Sequence, residues 1–144
     1  MDSSVVPIRW IGDSETGYLE MLDQRQLPGQ ESWLVMSSAE DVAHGIENMV
    51  IRGAPAIGIA AAYGVALAAR SWADEHRGDG EELSAPVTEL PEYLDPTYDR
   101  LAETRPTAVN LFWALKRMKR ELNDFIEGLR PDTIDSSQGA REVV

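Results

Sequence analysis

The sequence predicts an α+β fold, with a small N-terminal antiparallel β-sheet followed by a helical bundle. Three observations carry this expectation. Two runs of alternating apolar residues flank Leu27-Pro28-Gly29-Gln30. Apolar residues recur every three or four positions over Val42–Met49 and again over Leu111–Phe125. Between these stripes, "APAIGIAAAYGVALAAR" runs from Ala54 to Arg70 with almost no charge. Period-two alternation belongs to half-buried strands and a period near 3.6 to amphipathic helices.

The first strand is expected over Val5–Trp10, "VVPIRW", with Pro7 at a sheet edge because it cannot donate to a ladder. A hairpin follows in "GYLEMLDQRQLPGQESWLVM". Tyr18, Leu22 and the neighbouring Met21 are expected on one side, Trp33 and Val35 on the other. Pro28 and Gly29 suit the central positions of a type II turn. The first strand is expected to join this hairpin.

The first helix is expected in "SSAEDVAHGIENMVIRG", with Ser37 or Ser38 as its N-cap and Glu40 and Asp41 in the first turn. Val42, Ile46 and Met49 share one face, and Gly53 suits a left-handed C-terminal position. Pro55 then suits the first turn of a second helix, reaching about Asp74. Its many alanines and glycines make a thin helix that neighbours can approach closely, which is the pattern of a buried core helix. Each interior glycine costs up to ~1 kcal/mol relative to alanine, and close packing is the compensation expected. The glycines do not make a G-x-G-x-x-G cofactor spacing.

Residues 76–96 read as a connector rich in Gly, Pro and acidic groups. A short helix is expected over Pro96–Glu103, broken by "TRPT". The last helix carries the stripe Leu111, Leu115, Met118, Leu122 and Phe125 and is expected to end at Gly128 and Pro131. Residues 1–130 are therefore expected to form one domain, with 131–144 as a polar tail or the start of a linker.

Composition removes several function classes. The 144 residues carry a formal charge of −12, with 25 acidic and 13 basic side chains. Such a balance disfavours non-specific nucleic-acid binding, which needs cationic surface. There is no cysteine, so disulfides, thiolate catalysis and Cys-rich zinc sites are excluded within the chain. His44 and His76 alone make a metal site unexpected. No basic segment followed by an apolar run opens the chain, and the apolar run Ala54–Ala69 is shorter than the ~20 residues needed to span a bilayer. The expectation is a cytoplasmic protein without membrane or nucleic-acid partners.

Two short stretches carry chemistry. In "IRGAPAIG", a helix start offers unpaired backbone N–H groups and the positive end of the helix dipole. Gly53 admits a ligand close to the backbone, Ala54 adds no bulk, and Arg52 brings a planar fork of donors suited to phosphate. "ETRPTAVN" repeats the arrangement, with Arg105 before Pro106. If the two entrances converge, they grip one phosphate from two sides. The competing reading is that each arginine is solvated or salt-bridged, with ample acidic partners. Lys116, Arg117, Lys119 and Arg120 read as a solvated cationic face near a helix end. His44, near Glu40 and Glu47, reads as a surface pair, and the four tryptophans as core or interface anchors.

"RGAPAIG" followed by "AAAYGVALAA", then "TRPTAVNLFWAL", closely resemble the N-terminal part of methylthioribose-1-phosphate isomerases, as does "LEMLDQRQLPG". The resemblance covers roughly Pro7 to Ile126. The wider superfamily includes ribose-1,5-bisphosphate isomerases and the regulatory subunits of the translation-initiation guanine nucleotide exchange factor. The proline in "RGAPAIG" favours the methylthioribose branch. That resemblance implies an aldose–ketose isomerisation of 5-methylthioribose 1-phosphate in methionine salvage, by a homodimer using no metal or nucleotide cofactor. By motif it implies that Arg52, Gly53 and Ala54 contact substrate and that Arg105 is a second substrate arginine. The family's catalytic cysteine and aspartate lie in a C-terminal Rossmann-like domain, and this chain, ending at Val144 without cysteine, is expected to lack it. No catalytic residue is assigned here. The expectation is a sugar-phosphate-gripping portion, inactive alone, that works with a C-terminal domain or a second chain of the same enzyme. A non-catalytic interaction module or a ribose-1,5-bisphosphate isomerase-like chain are the alternatives.

Overall fold

The computed structural model describes residues 7–77 and 82–129. Strand β1 (Ile8–Ile11) pairs antiparallel with β2 (Tyr18–Leu22), which pairs antiparallel with β3 (Trp33–Met36), in the order β1-β2-β3. The register sets Ile8 opposite Met21 and Leu19 opposite Met36. These four residues are buried and form the inner face. The expected sidedness of β2 is corrected: Leu19 and Met21 point inward together, and Leu22 is buried at the strand end. On the outer face Arg9 bonds Glu20 at 2.8 Å and lies 3.7 Å over the Trp33 ring.

The β2–β3 connection is not a type II turn. That turn needs a positive φ at its second central residue, and Gly29 has none, while the Leu27–Pro28 peptide is cis. A 3-10 turn at Gln24–Gln26, capped by Asp23, begins the connection instead.

Helix α1 (Ala39–Glu47) takes Ser38 as its N-cap, the hydroxyl accepting from the Asp41 N–H at 3.1 Å. It ends earlier than expected. Met49, at φ 62, makes the left-handed turn assigned to Gly53, and its side chain is exposed rather than on the buried face with Val42 and Ile46. The early turn lets Val50 and Ile51 bury to 3% and 0% exposure.

Helix α2 (Ala54–Glu75) packs against α1, α3 (Leu90–Thr104) and α4 (Val109–Leu129) and is the centre of the bundle. At 22 residues it is longer than the apolar run from which it was anticipated, and it is long and apolar enough by composition to cross a bilayer. Here its buried residues, among them Ile57, Val65, Leu67 and Trp72, face the other helices and form the core. The compensation expected for its glycines is present. A Cβ on Gly64 would lie 3.2 Å from Leu101 and 3.3 Å from Val42.

Helix α3 begins at Leu90 rather than Pro96, with Pro91 in its first turn and Pro96 inside it. An interior proline costs ~3 kcal/mol. Three buried leucines, Leu90, Leu94 and Leu101, outweigh that at roughly 1.5–3 kcal/mol each. Pro96 is exposed, and so is Glu92, whose carbonyl would otherwise accept from position 96. Arg100 of α3 clasps Glu40 and Glu47 of α1, with four of its five bonds to them at 2.8–3.1 Å on Nε and Nη2.

Helix α4 buries Leu111, Ala114, Leu115 and Ile126 and half-buries Met118 and Leu122. Phe125, expected in the stripe, is 59% exposed. The helix runs through Gly128 to Leu129. The expected stop at Pro131, the tail 131–144 and the first two residues expected in strand one lie outside the described residues.

Candidate functional site

The start of α2 is held from a distant part of the chain. Gln24, the first residue of the 3-10 turn, donates its N–H to the Val50 carbonyl at 2.9 Å. Its side-chain oxygen accepts from the Arg52 N–H at 2.6 Å, across 28 residues of sequence. The Arg52 backbone is thereby fixed while its side chain is exposed, with no ion pair or ring contact among the described residues. Gly53 follows at φ 94 and ψ 136, a conformation open to glycine and strained for other residues. Its carbonyl accepts from the Ile57 N–H at 3.0 Å, and no side chain caps the helix. Nothing lies within 4 Å of the place a Gly53 Cβ would occupy. Ala54 and Pro55 are exposed. The first turn of α2 thus presents an open, uncapped N-terminus with a positive dipole end.

The start of α4 is built differently. Arg105 ends α3, and a turn closed by the Ala108 N–H donating to the Arg105 carbonyl at 2.9 Å leads into α4. Pro106 therefore sits in this turn, and not in the first helical turn where it was expected. Pro106 and Thr107 are exposed, whereas Arg105 is half-buried. Its Nη1 is fully buried with no hydrogen-bond partner. Buried polar groups are nearly always satisfied, so this donor, like the buried and unpartnered Tyr98 hydroxyl, carries a desolvation cost.

Packing of α2 on α4 brings the two entrances to one end of the bundle. A Cβ on Gly58, in the second turn of α2, would lie 3.1 Å from the carbonyl oxygen of Asn110, the second residue of α4. Between the helices runs a groove of about 670 Å³, bordered by Pro55, Ile59, Val109 and Trp113. Arg52 precedes Gly58 by six residues and Arg105 precedes Asn110 by five, and neither arginine borders the groove itself. The open start of α2 adjoins this groove at Pro55, an arrangement that suits a ligand with an anionic head and an apolar body.

Other sequence-derived candidates lie elsewhere or have structural partners. His44 Nε2 meets Glu40 at 2.9 Å on the α1 surface, the pairing expected. The Arg100 guanidinium bonds the Glu40 and Glu47 carboxyls and holds both below the ordinary glutamate range. Burial pushes the Tyr98 phenol up. Lys119 reaches Asp95 at 3.6 Å, and Arg117 lies 5.4 Å over the Trp113 ring. These cations occupy the middle of α4, not its last turns, so the helix dipole does not account for them. Among the described residues no cluster of three His, Cys, Asp or Glu is arranged to hold a metal. Gln24 escaped the sequence reading. Its role depends on a long-range contact, and a lone glutamine beside a turn carries no signal of it.

The model of the Initiation factor 2 subunit family matches residues 50–138, more than half of the chain. Methylthioribose-1-phosphate isomerase of Marinobacter nauticus is 51% identical over 115 residues, covering 80% of this chain and 28% of that protein. The one of Desulfitobacterium hafniense is 46% identical over 117 residues, covering 81% of this chain and 30% of that protein. Among solved structures, 5-methylthioribose 1-phosphate isomerase from Pyrococcus horikoshii superposes with TM-score 0.63 at 39% identity, over 85% of this chain and 31% of that one. The delta subunit of translation initiation factor eIF-2B from A. fulgidus does so with TM-score 0.65 at 36% identity, over 92% and 34%. The chain spans about 30% of the length of the curated relatives it matches. With the arginine-led entrances, the uncapped α2 start and the small-sheet-plus-bundle architecture all in hand, the chain belongs to the Initiation factor 2 subunit family.

Proposed function

We propose that this chain supplies the phosphate-gripping part of an S-methyl-5-thioribose-1-phosphate isomerase. The substrate carries its phosphate on the anomeric carbon, where it blocks simple ring opening. An enzyme that shifts hydrogen between the first two carbons must hold that group throughout. In this reading the Arg52 guanidinium and the N–H groups around Gly53 and Ala54 bind one side of the phosphate, and Arg105 binds the other. Charge-assisted bonds of this kind are about twice as strong as neutral ones. The hydrogen shift itself is assigned to the part of the relatives' length that this chain does not span, so the chain alone is expected to be inactive. The same reading makes it a component of methionine salvage and a cytoplasmic protein.

The observation that supports the reading is the open start of α2, where Arg52 and Gly53 are exposed and no side chain caps the helix. The names of the 46–51% identical relatives support the substrate. Calorimetric titration of the full chain with methylthioribose 1-phosphate and with inorganic phosphate tests it. Arg52→Ala and Arg105→Ala are each expected to lower affinity at least tenfold. Binding indifferent to both substitutions would sink the reading.

A second reading is favoured by the likeness to the eIF-2B delta subunit, which extends over 92% of this chain. Here the chain is a non-catalytic interaction module. It predicts no saturable phosphate binding in the same titration.

A further inference from the structure

Two residues at positive φ, Met49 at 62 and Gly53 at 94, bracket residues 50–52, which lead into α2. Gln24 bonds both ends of that short segment. Its backbone N–H donates to the Val50 carbonyl at 2.9 Å, and its side-chain Oε1 accepts from the Arg52 N–H at 2.6 Å. The residue before it is firmly anchored. Asp23 is 1% exposed, and its carboxylate takes two bonds from the Arg25 guanidinium, each at 2.8 Å. Gln24 is therefore a fixed, half-buried side chain on the approach to Gly53.

The bond to Arg52 also decides which way round the Gln24 amide lies. A backbone N–H can only donate, so the carboxamide oxygen must face it and the carboxamide nitrogen must face elsewhere. That nitrogen, Nε2, carries two N–H donors and bonds no protein atom among the described residues. The buried unpartnered side-chain atoms are the Tyr98 hydroxyl and Arg105 Nη1, so Nε2 is open to solvent. Oxygen and nitrogen of a carboxamide stand about 2.2 Å apart, which keeps Nε2 within about 5 Å of the Arg52 backbone nitrogen. The exposed Gly53 and Ala54 follow directly in the chain. Gln24 thus holds out a neutral pair of donors, oriented by a backbone group, close to the N–H groups that an anion at this helix start would use. An N–H donating to an ionised oxygen is about twice as strong as one donating to a neutral acceptor.

We infer that Gln24 is a further phosphate-binding residue: its Oε1 fixes the Arg52 backbone, and its Nε2 donates to a phosphoryl oxygen of the bound sugar phosphate. Gln24 has this role only if the α2 start binds phosphate as proposed. A residue that merely positioned Arg52 would need the oxygen alone, and the two ends of the amide can be tested separately.

Heteronuclear NMR of the isotopically labelled full chain, titrated with inorganic phosphate and then with methylthioribose 1-phosphate, reads the side-chain NH2 pair directly. The assigned Gln24 pair is expected to shift saturably, with the same midpoint as the Gly53 and Ala54 N–H signals. Gln24→Glu keeps an oxygen for the Arg52 N–H and removes the donors. Amide exchange at Arg52 is expected to stay within about threefold of the wild type, while phosphate affinity falls at least about tenfold. Gln24→Ala removes both ends and is expected to speed Arg52 exchange several-fold as well as weakening binding. Gly53 and Ala54 signals that shift while the Gln24 pair stays still overturn this role and leave the phosphate-binding reading standing. Wild-type affinity in Gln24→Glu does the same. No saturable shift at any of these groups overturns both.

Discussion

At the start of α2 the arginine is exposed and the unusual feature is the backbone, with Gly53 at φ 94. At the start of α4 the backbone is an ordinary turn and the unusual feature is the side chain, with one guanidinium nitrogen of Arg105 buried and unpartnered. Both entrances read as an arginine and a proline. One stores its cost in a conformation that only glycine adopts easily, the other in desolvation of a cation. Two helix starts that each follow an arginine and a nearby proline are thus built by different physical routes. Substitutions that act on one route and spare the other can separate them.

The largest effect is expected where the entrances are joined. Gly58→Leu forces a side chain onto the Asn110 carbonyl, which a Cβ alone would already approach to 3.1 Å. Backbone yields less readily than a side chain, so α4 must move away. Overpacking of this kind costs about 1–3 kcal/mol, read by urea denaturation, and phosphate affinity is expected to fall with it. If stability falls while affinity holds, the two entrances do not act together. Gly53→Val comes next. A β-branched residue at this positive φ is expected to cost about 1–3 kcal/mol, although the space around the site is open. Pro106→Ala, in the turn before α4, is expected to cost less than about 1 kcal/mol. Equal costs at the two places would erase the contrast.

Arg105→Met and Arg52→Met sharpen it in the opposite direction. Methionine keeps the apolar stem of Arg105 and removes the buried donor. An unsatisfied buried polar group costs about 1–3 kcal/mol, so Arg105→Met is expected to raise stability by about 1 kcal/mol while weakening phosphate binding. Arg52→Met, at an exposed position, is expected to stay within about 0.5 kcal/mol of the wild type while weakening binding as well. A stabilised variant that binds worse is the signature of a residue held for function.

Much of this could be read from the sequence because it depends on neighbours in the chain. Ser38 as a cap, the Val42–Ile46 face and Pro55 in a first helical turn are local matters. What escaped depends on distant partners. Met49 takes the left-handed turn that a glycine four residues on was better suited to, since the bundle buries Val50 and Ile51 and the chain must turn before them. The proline at 96 suggested a helix start, but the burial of Leu90 and Leu94 carries α3 through it. In the site, Arg52, Gly53, Ala54 and Arg105 are visible as letters. The burial of Arg105 and the hold of Gln24 on Arg52 are not, because each is set by packing between elements far apart in sequence.

That hold yields the smallest effect and the finest separation of the entrances. Asp23 is 1% exposed and caps the turn that contains Gln24. Its carboxylate accepts from Arg25 Nε and Nη2, each at 2.8 Å, and from the Arg25 N–H at 3.1 Å. Chiefly the Arg25 side-chain bonds hold the Asp23 carboxyl below the ordinary aspartate range. The folded value is depressed, so this contribution is complete above the ordinary value of 3.8 and is lost as pH falls through the folded value below it. Neutral pH should leave the α2 entrance tight, and acid should loosen it first. Asp23→Asn removes the charge at neutral pH and is expected to do the same. Amide hydrogen exchange reads the result residue by residue. The Arg52 N–H, bonded to Gln24, is expected to exchange several-fold faster in Asp23→Asn. The Ala108 N–H, bonded to the Arg105 carbonyl, belongs to the other entrance and is expected to keep its wild-type rate. Equal acceleration at both would mean that the entrances open as one unit, and that their different construction has no consequence for how they move.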